Sequence, residues 1–178
     1  MGFVQTHFIA FGIEAGFARM LLAGMMGIMG ALSVAGGLLL GGLSDRLGRR
    51  GPLALAYLLR GVGLAAWLAV PGGHGLVLLY AGIVAIGLSW AATISLTTAS
   101  CADVWGSRSA GAITGLSLFI MWIGHATGTY APGLLAAWAQ TYLPALVVNA
   151  VAALAAAAVV FGLRDPRLVR AAARVTAR

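Results

Sequence analysis

Five long apolar runs, separated by short polar interruptions, dominate this chain. They extend roughly from Arg19 to Leu43, Pro52 to Val70, Leu76 to Ser100, Ala110 to Trp138 and Tyr142 to Leu163. A helix needs about 20 apolar residues to cross the hydrocarbon core of a bilayer, and each run reaches that length. Inside lipid the backbone must satisfy its own hydrogen bonds, so only helices or closed barrels span. A barrel would read as short alternating segments, whereas these runs are continuous. The expected fold class is therefore all-α, a polytopic membrane helical bundle. Composition agrees, with 61% hydrophobic and 8% charged residues, against about 25% charged in soluble domains.

The interruptions carry the usual punctuation. Ser44 to Gly51 is polar and basic and precedes Pro52 at a helix start. Pro71-Gly72-Gly73-His74-Gly75 reads as a tight turn. Asp103 to Ser109 reads as a short polar connection, Gln140-Thr141 closes the run before the last helix, and Pro132 predicts a kink within that run. A sixth, shorter helix comes first, over Gly2 to Gly16, and contains Gln5, Thr6, His7 and Glu14. At about 1.5 Å per residue it falls short of the roughly 30 Å core. Either it is re-entrant, or the chain begins part-way along a longer helix. No basic segment follows Met1, so no cleavable signal peptide is expected. Cys101 is alone and reads as a small, partly buried hydrophobe.

Charge sets an orientation. The net charge of +7 comes from arginine, with no lysine. The loops and tail after the second, fourth and sixth helices hold Arg46, Arg49, Arg50, Arg108, Arg164, Arg167, Arg170, Arg174 and Arg178, whereas the opposite side holds only Arg19. That bias predicts those loops and the C-terminus to be cytoplasmic. It also argues against nucleic acid as a partner, because the arginines are spread among short membrane loops. The expected division is a six-helix domain over 1–163 and a basic cytoplasmic tail over 164–178. In the tail, Arg167, Arg170, Arg174 and Arg178 would form one helical stripe, suited to anionic lipid. A solvated tail fits the same residues.

One loop names a family. Gly41-Gly42-Leu43-Ser44-Asp45-Arg46-Leu47-Gly48-Arg49-Arg50 fits G-x-x-x-D-R-x-G-R-R, and here the chain resembles the major facilitator superfamily of secondary transporters. Tyr57 to Gly61, Ala102 to Arg108 with Gly111 and Gly115, and the glycine-rich run to Gly133 extend the likeness to the C-terminal six-helix half. They resemble most the monocarboxylate and oxalate–formate antiporter branch. The charges that branch uses are absent: Val34 to Leu38 is uncharged, and no lysine stands in the fifth helix, the run from Ala110 to Trp138. The resemblance implies a three-plus-three inverted repeat and a first helix that is truncated. It also implies a conformational latch formed by Gly41, Asp45, Arg46, Gly48, Arg49 and Arg50. Physically, Gly41 would permit close helix contact, Asp45 would end a helix and meet an arginine or a helix N-terminus, and Gly48 would allow a tight turn.

Within the spans, four residues are candidates for a substrate or proton pathway: Arg60, His125, His7 and Gln5. Arg60 falls mid-helix, where an arginine costs about 2.5–3.5 kcal/mol on insertion and each leucine returns only about 0.3–0.6. It needs a partner or a wet cavity, or it snorkels along Tyr57 toward the interface. His125 could relay a proton or bond across to a neighbouring helix. His7 and Glu14 share a helix face, with Glu14 read as a solvated interfacial residue. Asn149 reads as cross-helix packing glue. Gly12/Gly16, Gly37/Gly41, Gly111/Gly115 and Gly124/Gly128 form G-x-x-x-G pairs, expected to support tight packing.

Together these features predict secondary active transport of a small solute, an organic anion being the candidate class, by alternating access as a symporter or antiporter. The expected setting is a bacterial inner membrane, with an N-terminal half or a second copy as partner and no metal or cofactor. The alternative is an orphaned half acting only in membrane assembly. An intramembrane enzyme is disfavoured, since Ser117 and His125 on one helix match no nucleophile motif.

Overall fold

The computed structural model describes residues 2–70 and 75–163, with the side chains at 107 and 108 left aside. Of the turn expected over Pro71 to Gly75, residues 71–74 fall outside the described residues, as does the basic tail. Six helices follow in order: α1 (Gly2–Glu14), α2 (Arg19–Leu47), α3 (Arg50–Leu68), α4 (Gly75–Trp105), α5 (Ser107–Ala139) and α6 (Leu143–Gly162). Among the described residues, all but α1 are long and apolar enough to cross a membrane.

The helices outrun the apolar windows. α2 continues past Leu43 to Leu47, so Asp45 and Arg46 lie in its last turn. α4 continues to Trp105 and α5 begins at Ser107, so the connection expected from Asp103 to Ser109 is reduced to Gly106, with φ +77°. Hydropathy marks where a helix meets lipid, and polar residues at the interface can continue it. α5 passes through Pro132 without interruption, although the proline supplies no N–H to the Gly128 carbonyl.

The packing obeys a symmetry. α2 packs on α4 as α5 packs on α1, α3 meets α4 as α6 meets α1, and α1·α2, α2·α3 correspond to α4·α5, α5·α6. With α3·α6 mapping onto itself, the contact pattern is closed under exchange of α1–α3 with α4–α6, as an inverted repeat requires. The α1 side of each pair is the weaker, in keeping with its shortness.

Close approach depends only in part on the glycines the spacing singles out: Gly12 admits Leu22 of α2 and Gly37 meets Ala91 of α4, but others approach as closely. A methyl group on Gly36 would sit 2.0 Å from the Leu88 carbonyl oxygen, so α2 and α4 touch backbone to backbone. Gly82 accepts the Trp67 indole, whose Nε1–H donates to the Leu79 carbonyl. Phe8 and Phe11 of α1 lie against the same indole, with centroids at 4.9 and 6.1 Å. Gly61 admits Leu154 of α6, and Gly63 admits Ile86 of α4. By contrast Gly41, Gly111, Gly115, Gly124 and Gly128 face open space, and Gly16 serves a turn at φ +90°. The G-x-x-x-G pairs of α5 therefore do not pack this bundle; a three-residue gap between small residues says nothing about which way they face.

α6 has no charged residue, and its ends are completed by other helices. At its start, Glu14 of α1 accepts from the Thr141 hydroxyl (2.6 Å) and the Tyr142 amide (3.2 Å). At its end, Arg50 of α3 donates to the Phe161 carbonyl and lies over the Phe161 ring. An acid at the N-terminus and a cation at the C-terminus both suit the helix dipole, each worth about 0.3–1 kcal/mol. Glu14 is thus a cap supplied in trans, not merely a solvated carboxylate. Asn149 also differs from expectation: its amide donates to Ala145 of its own helix (2.9 Å) and bonds to no other helix among the described residues.

Two equal changes on one helix test the packing. Gly36→Ala should lower the melting temperature of the purified protein by several degrees, because backbone must move. Gly30→Ala, which meets nothing within 4 Å, should leave it unchanged or slightly higher.

Candidate functional site

Two polar centres stand out, one at the end of the bundle that carries the loop motif and one within it. At the first, Ser44 at the end of α2 is fully buried, and the Gly48 amide closes the helix on the Ser44 carbonyl (3.0 Å). Gly48 then turns the chain at φ +91°, a conformation that favours glycine. That turn aims Arg49 back across α2. Its guanidinium donates to Asp45 (2.8 Å), to the Ser44 hydroxyl (3.1 Å) and, from Nε, to Asp103 near the end of α4 (2.8 Å).

Burial alone would favour the neutral guanidine. The hydrogen bonds and charges of Asp103 and Asp45 outweigh it and hold the Arg49 pKa above the ordinary arginine value. The Asp45 side chain is 69% exposed and Asp103 27%. The bond to Asp45 is therefore worth at most about 1 kcal/mol, and the better-shielded bond to Asp103 is the principal tie between the α2–α3 loop and α4. Asp103 was not foreseen as a partner, because on the sequence it reads as loop. Arg46 is exposed, Arg50 is committed to α6, and Gly41 makes no close contact among the described residues.

The second centre is Arg60. α3 presents it from its middle with only 8% of its surface exposed. Nη2 donates to the Thr93 hydroxyl of α4 (2.8 Å) and more weakly to the Ser89 carbonyl (3.4 Å). The guanidinium carbon lies 5.5 Å from the Tyr57 ring centroid, a cation–π distance. The side chain thus does both things its sequence position suggests: it leans along Tyr57 and bonds to a neighbouring helix. Nε is buried with no hydrogen-bond partner, and no carboxylate pairs with the charge among the described residues.

Arg60 borders two spaces. A cavity of about 220 Å³ brings Arg60 together with Gln5 of α1, Thr93 of α4 and His125 of α5, walled by Tyr57, Trp90 and Trp122. A cleft of about 490 Å³ opens on the other side between α3, α5 and α6. His125 Nε2–H donates to Gln5 Oε1 (2.8 Å), bonding across to a neighbouring helix. His7 does not join the cavity; its Nε2 donates to the Thr129 carbonyl on α5 (2.9 Å), packing α1 down. Three of the four pathway candidates therefore meet at one cavity.

Comparison with known proteins decides the family. The family model "Major Facilitator Superfamily" matches residues 1–129. The chain belongs to the major facilitator superfamily. It is 33% identical over 146 residues to YcxA of Bacillus subtilis strain 168, which bears the description uncharacterized MFS-type transporter. That alignment covers 80% of this chain and 35% of the relative, so the chain spans about a third of that protein's length. No solved structure matches. The chain is accordingly an integral membrane protein of a transporter family, with a six-helix bundle of the type that makes up half of such a transporter.

Cys101, the sole cysteine, is buried two residues before Asp103. Removing the Arg49 tie should loosen this end of α4. Arg49→Ala should raise the rate of Cys101 labelling by a small maleimide several-fold, read by mass spectrometry. An unchanged rate would mean that the tie does not hold the helix end.

Proposed function

We propose that this chain is one half of a secondary active transporter that moves a small organic anion by alternating access. The single observation carrying the reading is Arg60: a permanent cation buried mid-helix, without a counter-ion among the described residues, at the edge of a cavity. A buried charge kept in lipid without a partner is costly, and an anionic solute would supply that partner transiently. Thr93 and Tyr57 hold the guanidinium in place, and in this reading the His125 imidazole would carry a coupled proton. The remaining transport apparatus would be an N-terminal half or a second copy.

The arginine bias supports a cytoplasmic position for the motif end and the C-terminus, in a bacterial inner membrane. In that orientation the Arg49–Asp103 tie would act as the cytoplasmic latch, made and broken as the halves rock. A second reading, an assembly unit without transport of its own, is favoured by α5, whose most apolar window is nowhere buried inside the bundle. Uptake by the chain alone and with an N-terminal half separates the two.

Arg60→Leu should abolish uptake of labelled organic anions in cells while the protein still inserts, as measured by membrane fractionation. Arg60→Lys should retain a small fraction, since it keeps the charge but loses the planar fork. Undiminished uptake by Arg60→Leu would remove the residue from the mechanism.

A further inference from the structure

The two spaces beside Arg60 are both mostly apolar and differ chiefly in size. The smaller cavity holds the side-chain polar groups Gln5, Thr93 and His125. The larger cleft is walled by Leu64, Ala131, Leu135, Val148 and Ala152, and its polar side chains are already engaged: Thr127 donates to the Ile123 carbonyl and Asn149 to the Ala145 carbonyl. Tyr57, Arg60 and Gly124 line both. One cation thus stands at the edge of a large, mostly apolar cleft and of a smaller cavity. At about 490 Å³ the cleft lies within the range of about 300–1,000 Å³ typical of small-molecule sites.

We propose that this half binds an amphiphilic anion, its compact anionic group on Arg60 and its apolar tail in the cleft between α3, α5 and α6. The inference rests on the reading of Arg60 as the anion-binding residue and adds the substrate class. Nε has no hydrogen-bond partner but is itself enclosed, so the headgroup would meet the guanidinium at its outer nitrogens, where Arg60 lines the cleft. Small side chains at Ala131, Ala152, Ala153 and Ala156 leave the room for the tail. The tail gains little by leaving lipid for the cleft, since both are apolar. Its function is selection by shape, and the charge supplies the anchor. An uncharged molecule with the same tail would therefore bind poorly, which sets this occupant apart from a stray lipid chain.

The test is binding to the purified full chain in nanodiscs, read by saturation-transfer NMR against empty nanodiscs, with octanoate, propionate and 1-octanol as probes. Octanoate and propionate should both bind, and octanol should fail to displace octanoate. Arg60→Gln should weaken both anions tenfold or more. Ala152→Phe, filling the cleft from an exposed position on α6, should weaken octanoate tenfold or more and leave propionate within twofold. Ala131→Leu fills the same space from α5 and should do the same, which guards against a folding defect in either variant. If neither filling variant separates octanoate from propionate, or octanol competes equally, the amphiphile proposal is wrong, while loss of propionate binding in Arg60→Gln would leave the anion reading intact. If Arg60→Gln leaves both anions bound, the two fall together.

Discussion

A guanidinium in the middle of a membrane helix has to be housed, and the region around α3 is arranged to house it. Arg60 is followed by Gly61 and, two residues on, by Gly63. The first glycine lets Leu154 of α6 press on the backbone and the second admits Ile86 of α4. α3 is therefore gripped on two faces while the arginine occupies what remains. Thr93 and Tyr57 fix the head, and Trp67, two turns along, locks α3 to α4 and α1. The charge is immobilised by packing but left one donor short, an arrangement that suits a binding residue better than a structural salt bridge.

The ends of the bundle show how polar groups are shared out when helices have few of their own. α6 borrows an acid from α1 and a cation from α3. The α2–α3 loop borrows an acid from α4 for Arg49. Each loan joins helices distant in sequence at the interface, where water and headgroups reduce the cost of charge. Such ties are weak singly and can be remade, which fits the alternating access proposed for this half.

Much of the fold was legible because lipid imposes a length rule and the arginines a parity rule. Six helices and the turn at Gly48 follow from those and from the loop motif. Arg60 was legible because a lone charge in an apolar run has few explanations. The partners were not. Asp103 looked like loop, Glu14 looked solvated and Asn149 looked like glue, because each role depends on what another helix brings near. The glycines misled for the same reason. Spacing marked Gly124 and Gly128, which face open space, and passed over Gly36, Gly63 and Gly82, which join Gly12 in making close approaches.

The central claim is that an anionic solute completes Arg60. Its most direct test is solid-state NMR of the protein in lipid, with ¹⁵N-arginine and a ¹³C-carboxyl-labelled organic anion, measuring dipolar coupling between the carboxyl carbon and the guanidinium nitrogens. Direct contact with Arg60 predicts a coupling of hydrogen-bonding range that vanishes in Arg60→Gln. A bound anion with no such coupling, or one that survives the substitution, would contradict the assignment.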